Sequence, residues 1–388
     1  MTDRSSREYL LDVSRLIWRL WEGKLPTGID RVCLEYVAHF GRRSLAVIQF
    51  RGRIVVLGPE SSDRIFALLL HPAHGAKFRL AMLLARSLGL ATRSPPASGM
   101  TYLNVGHTGL DDSALPRWVA ANRVRAFYLI HDLIPITHPQ FCRPGEAQKH
   151  DRRIRNALAS ATGIIANSQA TLDDVAAFAA TEAMPMPPAI AAWISGYRSA
   201  AAQVGRDAER TCFVSVGTIE GRKNHILLLR VWKRLARELG EATPRLVIVG
   251  QRGWEAERAF AMLDDHAALG GHVQELANCD DDELEAFIAS AAALLMPSFT
   301  EGFGLPVIEA LAAGTPVIAT DLPVYREIAG DIPTYLDPND EGAWEETVKA
   351  FTADGPERKR QKKALAGYHP PTWDQHFAIV EKWLVGFQ

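Results

Sequence analysis

The sequence predicts an α/β protein built from two parallel-sheet domains. Three observations carry this. Short apolar runs alternate with helical stretches along the chain, the pattern of parallel α/β architecture. The alternation breaks in a Pro-rich and then Ala-rich tract, and afterwards it restarts. With 388 residues, 47% of them hydrophobic, the chain is long for one domain and supplies apolar material for two cores.

In the first half, strands are expected at Tyr9–Val13, Leu45–Phe50, Thr101–Val105, Arg125–Ile130 and Gly163–Ala166. Arg53–Leu57 pairs with Leu45–Phe50 as a hairpin through Arg51-Gly52. Helices are expected over Asp30–Phe40, Ile65–Leu90, Ser113–Ala120, Gly145–Ala159 and Gln169–Ala180. Thr181–Pro188 cannot continue a helix, and the boundary falls between Ala189 and Arg210. The second half gives strands at Thr211–Val216, Arg245–Val249, Gly271–Leu276, Ala292–Met296 and Pro316–Ala319. Its helices cover Asn224–Leu239, Trp254–Leu269, Asp281–Ala291, Pro306–Ala313 and Pro323–Ala329. A last helix, Trp373–Val385, follows.

The net charge of −2 conceals an asymmetry. Residues 1–200 hold 24 Lys+Arg and 16 Asp+Glu, or +8; the remaining 19 and 29 give −10. A basic half suits an anionic surface or a phosphate-bearing acceptor, although drift in surface charge explains it equally well. Cys33, Cys142, Cys212 and Cys279 form no CxxC pair, so neither a zinc site nor a disulfide framework is expected, and a reducing cytoplasm fits. The start of the chain does not read as a signal peptide. No apolar run approaches the ~20 residues of a membrane span.

The strongest local signal is Pro297–Ala310, PSFTEGFGLPVIEA. A strand ends, a glycine-containing loop follows, and Pro306 opens a helix. The free amides and positive end of that helix suit a diphosphate. Gly302 and Gly304 let backbone amides approach a ligand. Glu301 and Glu309 can accept bonds from vicinal sugar hydroxyls. The second signal is Ser215–His225, SVGTIEGRKNH. After a strand and the Gly217 turn it places Arg222 and Lys223 at the C-terminal edge of the sheet, where two cations neutralise a diphosphate.

These segments resemble retaining glycosyltransferases of family four, which have the GT-B fold. EGFGLPVIEALAAGTPVIATD is similar to their donor-binding segment, with seven residues between its two glutamates. VGTIEGRKNH is similar to their basic diphosphate-binding segment. The likeness covers most of residues 211–330 and is weaker at LPTGIDRV and HDLIPITHP. It implies two Rossmann-like domains facing a central cleft: residues 1–195 on the acceptor side, 196–372 for the donor, and a helix at 373–388 crossing back to the first. It further implies that Glu309 bonds the donor ribose. Glu301, with the Phe303, Gly304 and Leu305 backbone, holds the donor sugar, and Arg222 and Lys223 hold the diphosphate. Gly221 stands where the family often has Pro, which leaves that loop less rigid.

In the first half, His131-Asp132 ends the strand RAFYLIHD. His131 is a candidate to bond a sugar hydroxyl or stabilise charge at the reacting carbon; Asp132 orients it or caps the turn. Thr27-Gly28-Ile29-Asp30-Arg31 resembles the family's glycine loop. Gly28 allows close approach there, and Arg31 reaches phosphate or pairs with Glu35. Ser168, after Asn167, faces the acceptor or N-caps a helix. His107 lines the acceptor pocket. Residues 61–93 form a basic apolar stretch that either docks on an anionic membrane or packs as a helical hairpin. Asp280-Asp281-Asp282-Glu283 reads as acids at a helix start rather than as a metal site.

The expected activity is metal-independent transfer of a hexosyl group with retention. The donor is a nucleoside diphosphate sugar, GDP-mannose before UDP-sugars, and the acceptor is a glycan or lipid-linked glycan. No cofactor and no nucleic acid is expected, and the cytoplasm, at the inner face of the membrane, is the expected location. Two other readings are a non-catalytic donor-binding subunit and an epimerase or phosphorylase on the same fold.

Overall fold

A computed structural model describes residues 7–23, 28–73, 75–89, 97–196, 211–265, 267 and 269–387, with side chains beyond the backbone left aside at 86–89. Contacts divide the chain into two units. One is Met1–Leu133 with Gln148–Ile194 and Trp373–Gln388; the other is Ile134–Ala147 with Ser195–Thr372. Residues 134–147 thus depart from the boundary expected at 195 and group with the second unit.

The first unit holds a seven-stranded sheet: β1 (Tyr9–Asp12), β2 (Ser44–Phe50), β3 (Arg53–Val56), β4 (Thr101–Asn104), β5 (Arg125–Ile130), β6 (Gly163–Ala166) and β7 (Ala189–Ala191), in the order β3-β2-β1-β4-β5-β6-β7. All pairs are parallel except β2 with β3, the expected hairpin. Its turn residues Arg51 and Gly52 both have positive φ, as a two-residue turn that follows strand twist requires. Strands β1, β4 and β6 are buried along their whole length, so they read as continuous apolar runs without alternation.

Around this sheet lie α1 (Ser14–Glu22), α2 (Gly28–Phe40), α3 (Pro59–Leu70), α4 (Ala76–Gly89) and α5 (Ala114–Asn122). A four-residue helix, α6 (Ile134–Thr137), belongs to the second unit. The first unit continues with α7 (Glu146–Ser160, mostly in this unit) and α8 (Gln169–Thr181). The single helix expected over Ile65–Leu90 is two helices. Pro72, whose ring has no place inside a helix, and Gly75 at φ 77° break it.

The second unit has β8 (Cys212–Val216), β9 (Arg245–Val249), β10 (Val273–Leu276), β11 (Ala293–Met296), β12 (Val317–Thr320) and β13 (Thr334–Leu336). All pairs are parallel, in the order β10-β9-β8-β11-β12-β13. This is a doubly wound sheet whose order reverses between β8 and β11, and ligands of such sheets bind beyond the strand C-termini at that reversal. Its helices are α9 (His225–Leu239), α10 (Glu257–Asp264), α11 (Asp281–Ser290), α12 (Leu305–Ala312), α13 (Pro323–Ala329), α14 (Glu341–Thr352) and α15 (Pro356–Leu365). Along α9, Leu227, Leu228, Val231, Trp232 and Leu235 follow helical spacing and are buried with Trp344, Val348 and Phe351 of α14. Both indoles are satisfied, Trp232 donating to the Pro244 carbonyl and Trp344 to that of Asp337.

A last helix, α16 (Trp373–Val385), packs within the first unit. Phe377 stacks on His39 at 3.9 Å, and the Tyr36 hydroxyl lies 2.9 Å from His376 Nε2. No helix of the described residues is long and apolar enough to cross a membrane.

Candidate functional site

The loops after β8 and β11, either side of the reversal, are sewn together. The Phe299 amide donates to the Arg222 carbonyl at 2.8 Å, and Asn224 Nδ2 reaches the Pro297 and Pro338 carbonyls. The β8 loop needs three glycines for steric reasons. A Cβ on Gly250 would fall 2.0 Å from the Gly217 carbonyl oxygen, and one on Gly253 2.5 Å from Thr218 Cγ2. Gly217 itself, at φ 136°, leaves only 3.0 Å to Lys223 Cε.

On this frame the expected cations meet the first expected glutamate. Glu301 Oε2 lies 2.7 Å from Arg222 Nη1, and Oε1 lies 2.5 Å from Lys223 Nζ. Ser298 Oγ donates to the same Oε1 at 2.7 Å. Burial pushes the Glu301 carboxyl up, but Lys223, Arg222 and Ser298 outweigh it and bring it down to about 2. Burial lowers the Lys223 ammonium, against the pull of Glu301.

The sequence did not single out Glu220, which is 3% exposed. Its Oε1 accepts from Arg222 Nε at 2.6 Å, and its carboxyl is pushed up, chiefly by burial. Two cations are therefore balanced by two carboxylates. Two buried polar atoms here have no hydrogen-bond partner: Glu220 Oε2 and His225 Nδ1. A buried polar atom left without a partner costs free energy, so each is a group that a polar ligand or water would satisfy. Burial, then Lys223, lowers His225 to about 3, so its ring is neutral.

The remaining donor-side candidates lie on the β11 loop and α12. Gly302 is half-buried, Phe303 is buried, and Gly304 caps α12 at φ 101° with the Tyr325 ring 2.6 Å from where a Cβ would stand. Leu305 is the first residue of α12 and Pro306 the second. Glu309 lies one turn on, its Cγ 2.8 Å from a Cβ position on Gly196. Gly221, for which a looser loop was expected, is tied: its amide donates to the Trp254 carbonyl at 3.1 Å, a bond proline cannot make. Trp254 precedes α10 instead of starting it, and its indole donates to the Phe141 carbonyl.

In the first unit, His131 and His107 sit side by side at the ends of β5 and β4, their ring centroids 5.0 Å apart. Each Nε2 donates to a backbone carbonyl, of Val105 and Leu129 respectively. Burial lowers His131 to about 4 and His107 well below its ordinary value, so both rings are neutral. The sequence missed Arg15 and Arg19 on α1. They hold Asp30, 1% exposed, at 2.6 and 3.0 Å. Arg15 also fills the space a Cβ would need at Gly106. Gly28 is exposed at the first position of α2, and Thr27 lies outside the described residues. Asn167 Nδ2 donates to the His131 carbonyl, and Ser168 N-caps α8 through the Thr171 amide. Asp280 and Glu283 form a capping box on α11. Among the described residues no group of His, Cys, Asp or Glu is arranged to hold a metal ion.

Residues 198–366 match the family described as "Glycosyl transferases group 1". Over that stretch the chain is similar to group 1 glycosyltransferases. That stretch holds the whole β8–β11 site. Among curated relatives, the serotype-specific mannosyltransferase WbdA of Escherichia coli is 29% identical over 54% of this chain and 28% of its own length. The O-antigen chain mannosyltransferase B of the same organism is 35% identical over 32% of each. The chain spans under a third of the length of these relatives. Among solved structures, Anabaena Alr3699/HepE in complex with UDP aligns with a TM-score of 0.65 at 15% identity, over 97% of this chain and 99% of that one. Sucrose-phosphate synthase from Thermosynechococcus elongatus gives 0.63 at 16%, over 98% and 99%. The two sheets and their helices thus share the α/β, GT-B fold of these two structures.

Proposed function

We propose that this protein is a retaining glycosyltransferase. It moves a hexosyl group, mannose by preference, from a nucleoside diphosphate sugar to a hydroxyl of a glycan or lipid-linked glycan. The observation that carries this is the charge-balanced cluster of Arg222, Lys223, Glu301 and Glu220 beside the start of α12, at the sheet reversal of the stretch similar to group 1 glycosyltransferases. The mannosyltransferase names of the relatives support mannose, the GDP-Man in the name of a Mus musculus relative supports GDP, and the UDP bound to the structural neighbour supports UDP-sugars as the second choice.

Arg222, Lys223 and the α12 amides bind the diphosphate and stabilise it as it leaves. They supply the positive charge that a metal brings elsewhere, so transfer continues in chelator. Glu309 bonds the ribose. Glu301, still paired with Lys223 and Arg222, joins the Gly302–Leu305 backbone in holding the sugar, and Gly217 gives the phosphates room. On the first unit, neutral His131 bonds the sugar or acceptor, and Gly28 lies near the transferred group. The leaving phosphate takes the acceptor's proton. The basic first unit contacts an anionic membrane from the cytoplasmic side.

A melting-temperature panel with GDP, UDP, dTDP and ADP identifies the donor base, since a ligand that binds only the folded state raises the transition. Lys223→Ala and Glu309→Ala should each cut transfer by at least about tenfold with the fold intact, the loss of one strong polar contact to the transition state. Undiminished turnover in both variants, or nucleotide binding without transfer across a donor panel, sinks the proposal.

A further inference from the structure

The charges at the β8–β11 site balance only while it is empty. Arg222 and Lys223 face two carboxylates, Glu301 and Glu220. The diphosphate bridge of a sugar nucleotide adds two negative charges, leaving four against two in a largely buried cluster. Buried charge without a partner is costly and is relieved by taking up a proton.

The two carboxylates are not equal candidates for that proton. Glu301 has both oxygens occupied, Oε1 by Lys223 and Ser298 and Oε2 by Arg222. Glu220 has one oxygen on Arg222 Nε and the other, buried, on nothing. Glu220 also lines a cavity of about 390 Å³. The charged groups facing it on the site side are Arg222, Lys223 and Glu301. Across the cavity are Glu255, with Glu257 and Arg258 on α10, His225 and Arg230 on α9, and Glu341 on α14. Arg230 is taken by Glu341 at 2.9 Å, and Arg258 is exposed to solvent beside Glu257, so water screens its charge from Glu220.

We propose that Glu220 is a positioning residue that takes up one proton when the sugar nucleotide binds, releasing the Arg222 guanidinium from its carboxylate to the diphosphate. Burial already pushes this carboxyl up, and the incoming charge pushes it the same way. The proposal rests on the donor-site reading above. The proton goes to Oε2; Oε1 stays near Arg222 as a neutral acceptor, and departure of the diphosphate returns the proton to solvent.

Calorimetric titration of the full chain with GDP-mannose and with UDP-glucose tests this. Both are diphosphodiesters whose phosphates are ionised throughout the range used. Measured in two buffers of different ionisation enthalpy, binding should take up close to one proton where Glu220 begins ionised. Affinity should fall by up to about tenfold per pH unit as pH rises through that window, the slope of a one-proton linkage. Glu220→Gln keeps an acceptor for Arg222 and should bind with almost no uptake and a flat pH profile. Binding by the unaltered protein without uptake between about pH 5 and 9, or uptake unchanged in Glu220→Gln, overturns the role of Glu220 and leaves the donor site standing. Binding of neither sugar nucleotide overturns both. The measurement on the unaltered protein stands even if the variant folds poorly.

Discussion

At position 221 the glycine is held in its loop by a hydrogen bond and by close packing. Its amide donates to the Trp254 carbonyl, and a Cβ there would meet the Glu255 carbonyl oxygen at 2.8 Å. Gly221→Pro, a change toward the family pattern, should therefore destabilise the protein by roughly 2–4 kcal/mol, a lost hydrogen bond plus a backbone clash. Urea unfolding measures it; an unchanged midpoint would contradict the steric account. The same scale explains what the sequence showed of the site. Arg222, Lys223 and Glu301, which the structure brings together, were legible because charge beside glycine in a post-strand loop has few other uses. Glu220 lies in the same string, but nothing in its spacing says that it is buried or that it holds Arg222 Nε. His225 and Ser298 were illegible for the same reason: their importance is an unpartnered or shared atom, visible only once the loops are joined.

Among elements, the long parallel strands were legible because burial on both faces makes them unbroken apolar runs. The short edge strands β7 and β13, each only half-buried, lacked that signal. Helices α14 and α15 were missed although α14 contributes Trp344, Val348 and Phe351 to the core. Their polar residues outnumber the buried ones. The helix broken at Pro72 changes the reading of its basic stretch. As a separate element, α4 presents Phe78, 71% exposed, and Met82, with Lys77 and Arg79 exposed beside them. Lys77 Nζ reaches the space beside Gly23, two residues from the exposed Trp21. Aromatic and basic groups together suit an anionic lipid surface. Sedimentation with phosphatidylglycerol vesicles should retain the unaltered protein at low salt and lose it in Phe78→Glu by several-fold. Equal partition of the two, or none of either, removes membrane docking by this helix.

Across the whole molecule, acid should act in two stages. His131 and His376 are lowered to about 4 and His225 to about 3, all chiefly by burial. Their unfolded forms bind protons near 6.5, so the unfolded state holds more protons between that pH and the folded values. Stability thus falls as pH drops from about 6.5 toward 4. Glu301, lowered to about 2, adds stability present above its unfolded value near 4.5 and lost below it. Unfolding free energies at a series of pH values check this; a flat curve between 7 and 5 would show that the buried histidines are not held neutral. The division of the chain carries a consequence for its synthesis. The second unit draws on two segments and is complete once residue 372 has been made. The first unit begins earlier but draws on three, and its α16, with Phe377 on His39, is translated only after residue 372. On the ribosome the order of completion is therefore inverted: the second unit can close first, while the first unit, which began to emerge before it, waits for α16.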